Sequence, residues 1–584
     1  MLRATFAGFS VARGALTASQ KALDVTGQNI SNVYTAGYTR QRLDQVSMSM
    51  GYGNYSYSNY TAQVGNGVLI TGISQIRDPY LDIQYRNQMA NVGASDAKNS
   101  ILEQVEGVFD ETMKSSIKDA FSDLESKLLD LANSTGSELD DSIVRASMQS
   151  LVNIFHANAT NLADKRDQIT DDFENNSIRQ VNALLKDIAE LNKSIKNSQV
   201  LGYPALELQD DRNNKLDELA SYIPIEIIRT DEKLSSTEKV ENVQVNIVLT
   251  RDEIVYKTDA DGNPITGTDG KPIPELDKDG KPVTKQTMQR FALIDNDKYG
   301  KFDAKTEDKF TKVTFDHLQY GADNKVVTNT DGTPATTTAD LTKKDAATGD
   351  VEIYIQGGTF KGTLDMLNSS GVFDGDAATE KGLGYYEQAF DLLVNKFATV
   401  MNELNQKAND ANGQPTGDGG NLFTTNTGAT SGFTAANIKV NEDWIRGIVK
   451  LKTKQDPDSG STQNDNINKF IDNLNKDQKF EVPIPGATST TSTIYTGNFY
   501  NYYVNTIEST LGIEQQSTKN LLDNHVTVIN TIAQSKDQVS GVSLDEEGVN
   551  LMQYQQSFTA ASRLMTSLDE ILDKLINGTG VCGR

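Results

Sequence analysis

Both ends of the chain carry apolar residues at intervals of seven. The C-terminal row, with Leu568 from a second row three positions on, comprises Leu544, Leu551, Phe558, Met565, Leu568 and Leu572. The N-terminal row comprises Leu2, Phe9, Leu16, Leu23 and Ile30. This spacing predicts helices that pack along a narrow apolar stripe, which no helix can bury alone. We therefore predict that the terminal helices pair with each other; two independent amphipathic helices on separate domains are the alternative.

The spacing of apolar residues changes between the two ends. A period near 3.6 predicts helices over residues 4–32, 101–131, 142–197, 208–220, 385–409 and 502–541. Alternating apolar and polar residues predict strands near 38–46, 243–249, 351–355 and 438–440. A helix unbroken over 142–197 would be about 80 Å long, which favours a rod-like helical domain.

Turn sequences of the form Asp-Gly-x-Pro recur within the strand-rich region. They occupy residues 261–264, 269–272, 279–282 and 331–334. We interpret them as hairpin turns on a solvated β domain. A calcium site is the alternative, because aspartates cluster around the first three turns. Their spacing lacks the sixth-position glycine and closing glutamate of a calcium-binding loop, so we predict no metal site.

The order of the predicted elements is nearly palindromic, which indicates nested domains that each draw on both halves of the chain. The predicted fold class is α+β multidomain, with a terminal α-helical coiled coil, a bundle of long helices and an inserted β-rich domain. The predicted domains are a terminal coiled-coil assembly domain (1–60 with 541–584), a mainly helical rod-like domain (61–230 with 380–540, including a mixed polar subregion near 410–500) and a β-rich surface insert (231–379).

Charge and cysteine content narrow the classes of protein. The 584 residues include 55 Lys and Arg against 80 Asp and Glu, giving a net charge of −25. This balance argues against nucleic acid as a partner. No apolar run reaches the roughly 20 residues of a membrane span, and the N-terminus lacks a secretory signal pattern. Cys582 is the single cysteine, which excludes an internal disulfide. We expect a cytosolic protein, or one exported without a cleaved signal.

Catalytic patterns are absent from the sequence. His156, His317 and His525 are the only histidines, and they lie far apart. No nucleophile elbow, zinc-protease, phosphate-loop or paired-cysteine motif occurs. We predict no enzymatic activity and no cofactor. The charge-free, tyrosine-rich stretch within residues 45–76 lacks the cations that a nucleic-acid site needs, so we interpret it as a linker that packs inside an assembly.

Residues 27–41 resemble a known signature. Their sequence, GQNISNVYTAGYTRQ, is similar to the N-terminal pattern of flagellar rod, hook and hook-associated proteins, which reads roughly NNIANxxTxG[YF][ST]R. The matching motif residues are Asn29, Ile30, Asn32, Thr35, Gly37, Tyr38 and Arg40. Gln28, Ser31 and Ala36 depart from the pattern. Asn32 and Gly37 suit the left-handed positions that end a helix and make a turn.

Residues 540–563 resemble the hook-associated protein 1 family more closely. That resemblance implies an extracellular structural subunit joining flagellar hook to filament, exported by the flagellar type III apparatus. It implies copies of the chain in a ring or short tube, with hook protein on one side and the next hook-associated protein on the other. Both apolar rows are then the expected assembly interface. An export chaperone at the C-terminal helix is a further expectation; nucleic acid and membrane insertion are not expected.

Two alternatives stay open. A flagellar hook or distal-rod protein would share the N-terminal motif, although the long helical series favours the junction protein. A secreted adhesin or effector carried by the flagellar route is the alternative from another class. Within residues 1–94 seven Arg and Lys stand against four Asp. We therefore expect the termini to form an inner tube and the acidic insert to face water.

Overall fold

The computed structural model describes residues 7–48, 67–109, 117–134, 138–233, 239–257, 265, 273–276, 283–344, 351–374, 379–406, 420–454, 464–483 and 491–578. The helices are α1 (Ala7–Ser31), α2 (Pro79–Phe109), α3 (Ile117–Asn133), α4 (Glu138–Asp172), α5 (Ile178–Val200), α6 (Leu206–Tyr222), α7 (Gly358–Asn368), α8 (Leu383–Gln406), α9 (Glu442–Ile445), α10 (Asp465–Asn475), α11 (Phe499–Tyr502), α12 (Ser509–Ser540) and α13 (Leu544–Gly578). The described helices include none long and apolar enough to cross a membrane.

The strands form small antiparallel sheets. They are β1 (Gln41–Ser47), β2 (Val68–Gln75), β3 (Ile225–Lys233), β4 (Lys239–Ile254), β5 (Thr284–Asp295), β6 (Lys298–Tyr299), β7 (Lys301–Glu307), β8 (Phe310–Leu318), β9 (Thr336–Asp340), β10 (Thr342–Lys344), β11 (Val351–Ile353), β12 (Phe423–Thr425), β13 (Ile438–Val440), β14 (Gln478–Pro483) and β15 (Thr491–Gly497). Sheet β3–β4–β5–β6 and sheet β7–β8–β9 are the largest, and four two-stranded pairs accompany them. The predicted mixed α+β class is confirmed.

The two terminal helices pack against each other in antiparallel orientation. Near one end of the pair, Gly8 of α1 lies against the Leu568 side chain of α13. At the other end, Arg40 follows α1 and bonds Glu547 in the first turn of α13. The hairpin β1–β2 covers another side of α1, where Gly14 faces the carbonyl of Val68. Part of the stretch interpreted as a linker is therefore strand β2; residues 49–66 lie outside the described residues.

Helix α2 is the axis of the body. Helix α12 packs against it in antiparallel orientation, as the pairs Gln88–His525 and Glu106–Gln515 show. Helices α6, α7 and α4 contact other parts of α2. Helices α4 and α5 continue through a π-helical turn at Phe173–Ser177, so the chain is helical over 138–200, about 95 Å. Phe173 in this turn is buried against Phe360.

The insert packs on α5 through both of its larger sheets. Alternate residues of β4 are buried, as the period of two predicted: Val243, Val245, Ile247 and Leu249. Asn182 and Asn192 of α5 bond the backbone of Phe302 and Asn296 in the insert. The buried apolar cluster runs without a break from the helical body into these sheets, so body and insert share one core.

The tip of hairpin β8–β9 is a unit of three extended segments. Backbone bonds run from Gln319 N to Ala335 O, from Ala335 N to Val327 O and from Val327 N to Gln319 O, at 2.8–3.0 Å, and close a ring. Lys257, Ile265 and Ile273 form the same ring beyond β4 and β5, again eight residues apart. Within this unit the turn at 331–334 is a hairpin turn, as predicted, since Thr328 and Pro334 form an antiparallel bridge across it. The other three Asp-Gly-x-Pro turns lie outside the described residues.

Candidate assembly interface

Small residues form the centre of the contact between α1 and α13. Ala12, Ser19 and Ala22 of α1 are buried, and Ala561 is the buried apolar residue of α13. A Cβ on Gly8 would lie 3.2 Å from Leu568, so glycine lets the two helices approach closely there. The described part of α13 buries one other side chain, that of Glu547.

The large residues of the two predicted rows lie at the edge of this contact. Phe9, Leu16, Leu23 and Ile30 are half-buried, and so are Met565, Leu568 and Leu572. Leu544, Leu551 and Phe558 are 47%, 38% and 36% exposed. Leu2 lies outside the described residues. The rows therefore flank the contact that joins the termini, and the described part of the chain leaves the first half of the C-terminal row only partly covered.

The two rows share one side of the helix pair. Successive residues turn by about 100° around a helix. On α1 and on α13 alike, the row of large residues lies next to the residues that face the other helix, and it is rotated from them in the direction in which the residue number increases. In an antiparallel pair, equal rotations point to the same side. Leu564 and Ile571 lie on the other side of α13 and are also exposed. The terminal pair thus presents two apolar flanks.

The motif residues form the connection between α1, α13 and the body. Asn29 is buried, and its amide Nδ2 donates to the carbonyl of Gln41 at 3.0 Å while its Oδ1 accepts from the N–H of Gln41 at 2.9 Å. The hydroxyl of Tyr38 donates to the same Oδ1 at 2.9 Å. Asn29 therefore fixes the end of α1 to the start of β1.

Polar side chains of the turn after α1 form hydrogen bonds at the C-terminal end of the helix. Asn32 Nδ2 donates to the Gln28 carbonyl at 3.0 Å, and Thr35 Oγ1 donates to Asn32 Oδ1 at 3.2 Å. Gly37 has φ +77°, and a Cβ there would lie 2.2 Å from the Asn214 side chain. Gly37 thus occupies the left-handed position. The expectation that Asn32 also would is wrong, because its side chain bonds a helix carbonyl from a right-handed or extended backbone.

Arg40 joins the turn to the start of α13. Its Nε donates to Glu547 Oε1 at 2.8 Å, and its Nη1 donates to Glu546 Oε2 at 2.6 Å. Its backbone N–H donates to the Ser540 carbonyl at the end of α12. Since Glu547 is only 2% exposed, this ion pair is largely shielded from water.

The turn after α1 also contacts helix α6 of the body. Thr39 donates through its N–H and its hydroxyl to the Asp210 carboxylate, at 3.0 and 2.6 Å. Burial raises the pKa of Asp210, although these two bonds and Arg77 oppose the rise. Burial and the carboxylates of Glu207, Asp210 and Glu547 raise the pKa of Tyr38. The phenol is therefore protonated and can donate to Asn29.

A buried ionic network lies beneath the turn. Lys536 of α12 contacts Asp82 of α2 at 3.2 Å and Asp217 of α6 at 2.9 Å. Arg77 and Arg86 pair with these carboxylates at 2.7 and 2.6 Å. Burial would raise the pKa of Asp82, but Arg77 and Lys536 hold it below its usual value. The network fixes three helices at the end of the body that faces the terminal pair.

The motif is recognisable in the sequence, but its partners in the fold are not. Asp210, Asp217 and Lys536 look like ordinary charged residues on amphipathic helices. A usable signal was present in α2, where Asp82 and Arg86 are the charged residues among 79–95. Charged side chains that interrupt an uncharged helix segment are candidates for buried pairs.

Comparisons with known proteins agree with this arrangement. Residues 102–275 match the model of the flagellar hook-associated protein FlgK helical domain. Residues 533–578 match the C-terminal region of flagellar basal body rod FlgEFG proteins, and residues 9–39 match the flagella basal body rod protein model. Flagellar hook-associated protein 1 of Bacillus subtilis is 28% identical over 100% of both chains. Over its full length the chain is therefore similar to flagellar hook-associated protein 1.

Other proteins with this name are less similar to the chain. The Salmonella typhimurium protein is 24% identical over 97% of this chain and 98% of its own. The flagellar hook junction protein FlgK from Burkholderia pseudomallei is similar over 59% of this chain and 46% of its own, at 13% identity and a TM-score of 0.36. Two of the family-model matches cover α1 with its turn and α13. These are the elements that the motif residues join.

Proposed function

We propose that this chain is a structural subunit of the bacterial flagellum that joins hook to filament. The subunit acts by packing, and its terminal helices form the contacts between subunits. The proposal rests above all on the exposed flank of α13. Leu544, Leu551 and Phe558 keep more than a third of their surface in water, on a helix whose extensive packing is with α1. An apolar row at this spacing is stabilised when another helix covers it.

Each of the three proposed domains has its own role in the assembly. The terminal pair forms an inner ring or short tube with copies of itself, between hook protein on one side and the next hook-associated protein on the other. The helical body carries the pair at a fixed angle through Arg40, Thr39 and Gly37. The acidic insert faces water, where charge keeps separate flagella apart.

Location and export follow from the same proposal. The subunit works outside the cell and leaves it through the flagellar export apparatus without a cleaved signal. We also propose that an export chaperone covers the exposed flank of α13 before assembly, since an uncovered apolar row would cause premature association. Phe558→Asp should then abolish the chaperone complex, whereas unchanged binding in a pull-down would contradict this step.

Binding of purified protein to isolated hooks tests the proposed function. We expect wild-type protein to cover hook tips in electron micrographs and Phe558→Glu to lose this binding, because a buried unpaired carboxylate opposes helix packing. Gln556→Glu is the matched control: it adds the same charge two residues away, on the exposed outer face of α13. Equal binding by both variants would refute the proposed interface, and absence of wild-type binding would favour an adhesin or effector.

A further inference from the structure

An uncharged stripe follows the surface of α12. Its members are exposed and recur at intervals of three, four or eight, and they are Ile513, Ser517, Leu521, Asn524, Val528, Thr531 and Val539. Leu521 and Val528 are 49% and 46% exposed. The charged side chains Lys519, Asp523 and Asp537 lie on another face of the helix. On a chain with a net charge of −25, an exposed stripe without charge indicates a surface that is buried in an assembly.

The stripe leads directly to the terminal helix. Helix α12 ends at Ser540 and α13 begins at Leu544, so three residues separate them. The exposed row of α13 starts at Leu544 itself. Copies that pack side by side through their terminal pairs must also bring their α12 helices close to the neighbouring body. The stripe is therefore placed where a second copy would meet it.

A second exposed apolar surface lies on the opposite side of α2. Asp82 and Tyr85 face α12, since Lys536 contacts both. Ile83 is about 100° around α2 from Asp82 and about 160° from Tyr85, so it points away from α12. Ile83 and Tyr80 are 54% and 65% exposed. One copy thus has two different apolar surfaces, on either side of the same helix.

We propose that the stripe of α12 packs against the start of α2 in a second copy. Contacts between unlike surfaces join copies head to tail, and they close into a ring when the rotation allows it. The interface between copies then extends from the terminal pair onto the helical body. This inference rests on the proposed function, because it requires the copies to assemble through their terminal helices first.

Two variants with opposite charges test the contact. Val528→Lys should raise the protein concentration that half-saturates isolated hooks about tenfold, because it places an unpaired ammonium in the contact. Asn530→Lys is the matched control on an exposed, different face of the same helix and should bind as wild type. Ile83→Glu should weaken binding to a similar extent. The double variant Val528→Lys, Ile83→Glu should recover most of the binding, because the new charges meet across the interface.

Each outcome decides between the inference and the function on which it rests. Thermal unfolding of every variant should match wild type, since both positions are exposed in the single chain. Weak binding by both single variants with recovery in the double variant supports the contact. Wild-type binding by Val528→Lys, or no recovery in the double variant, overturns it. If Phe558→Glu still loses binding in that case, the proposed function stands without this extension; if Phe558→Glu binds normally, the proposed function fails instead.

Discussion

The helical body and the terminal pair use apolar residues in different ways. In the body, Phe155, Phe390 and Phe397 are buried, and the ring of Phe155 contacts the other two at 5.8 and 6.2 Å. In the terminal pair, small residues form the centre and large residues remain at the edges. The body therefore completes its core within one chain. The terminal pair leaves its largest apolar side chains for contacts that one chain does not supply.

The largest expected effect is the difference in folding stability between truncating a phenylalanine of the body and truncating one of the terminal pair. Phe390→Ala should lower the free energy of unfolding by about 3–5 kcal/mol, because it leaves a cavity in a closed core. Phe558→Ala should lower it by only about 1–2 kcal/mol, since that ring is already partly in water and leaves no closed cavity. Urea unfolding of both monomers followed by circular dichroism measures the difference. Similar losses would show that α13 is as fully packed as the body.

The next prediction concerns the link between the two regions. Arg40→Ala should weaken the attachment of α13 by about 2–3 kcal/mol, because it leaves the buried Glu547 carboxylate unpaired. Hydrogen exchange should become faster in α13 and stay unchanged in α8. Adding Glu547→Gln should restore much of the protection, since the unpaired charge is then gone. Uniform acceleration throughout the chain would contradict a local link.

The body also contains a carboxyl whose burial opposes stability. Burial raises the pKa of Asp391 to about 6, while the Ala435 N–H bond lowers it. Because the folded pKa is raised, this group's contribution to stability is full below the unfolded pKa of about 4 and is lost as pH rises through about 6. Asp391→Asn should therefore stabilise the protein by about 2 kcal/mol at pH 7 and little at pH 4. Denaturation at both pH values checks the sign; equal effects would contradict it.

The smallest effect is expected in the insert. The ring of bonds at Gln319, Val327 and Ala335 closes the turn unit within itself, and Leu318 pairs with Thr336 across the hairpin. Replacing residues 319–335 by Asn-Gly should change the free energy of unfolding by less than about 1 kcal/mol and leave hook binding intact. The replacement removes the bonds of the Tyr320 hydroxyl with Gln244 and Asp295 and the bond from Gln319 to Thr337, all of them at partly exposed positions. A cooperative loss of the insert's sheets would show that the unit supports them.

Sequence periodicity predicted the helices well where one face is apolar over many turns. The series at 142–197 and the terminal helices are examples, because repetition averages out local exceptions. Strand β2 was missed, since its exposed Leu69 and half-exposed neighbours give no clean alternation. The centre of the terminal contact has a weaker signature in the sequence. Alanine and glycine give a weak hydrophobic signal, yet they decide how closely two helices approach.

The polar part of the candidate site was the least predictable. The motif pointed to Asn29, Gly37 and Arg40, but nothing local connects them with Asp210 or Glu547, which lie hundreds of residues away. A buried ion pair depends on which helices meet in space, and one sequence does not contain that information. Backbone geometry was easier to predict from the sequence than these ion pairs. Glycine is the residue expected at a positive φ, and Gly37 has a positive φ.

The antiparallel terminal pair joins the first helix of the chain to the last. Closing a loop of more than 500 residues costs conformational entropy that no shorter contact requires, so this pair should form late in folding. The surface proposed for assembly exists only when both helices are present. A chain truncated before α13 could still fold its body but would lack the partner of α1. Synthesis of α13 is therefore a condition for incorporation, imposed by the topology of the chain.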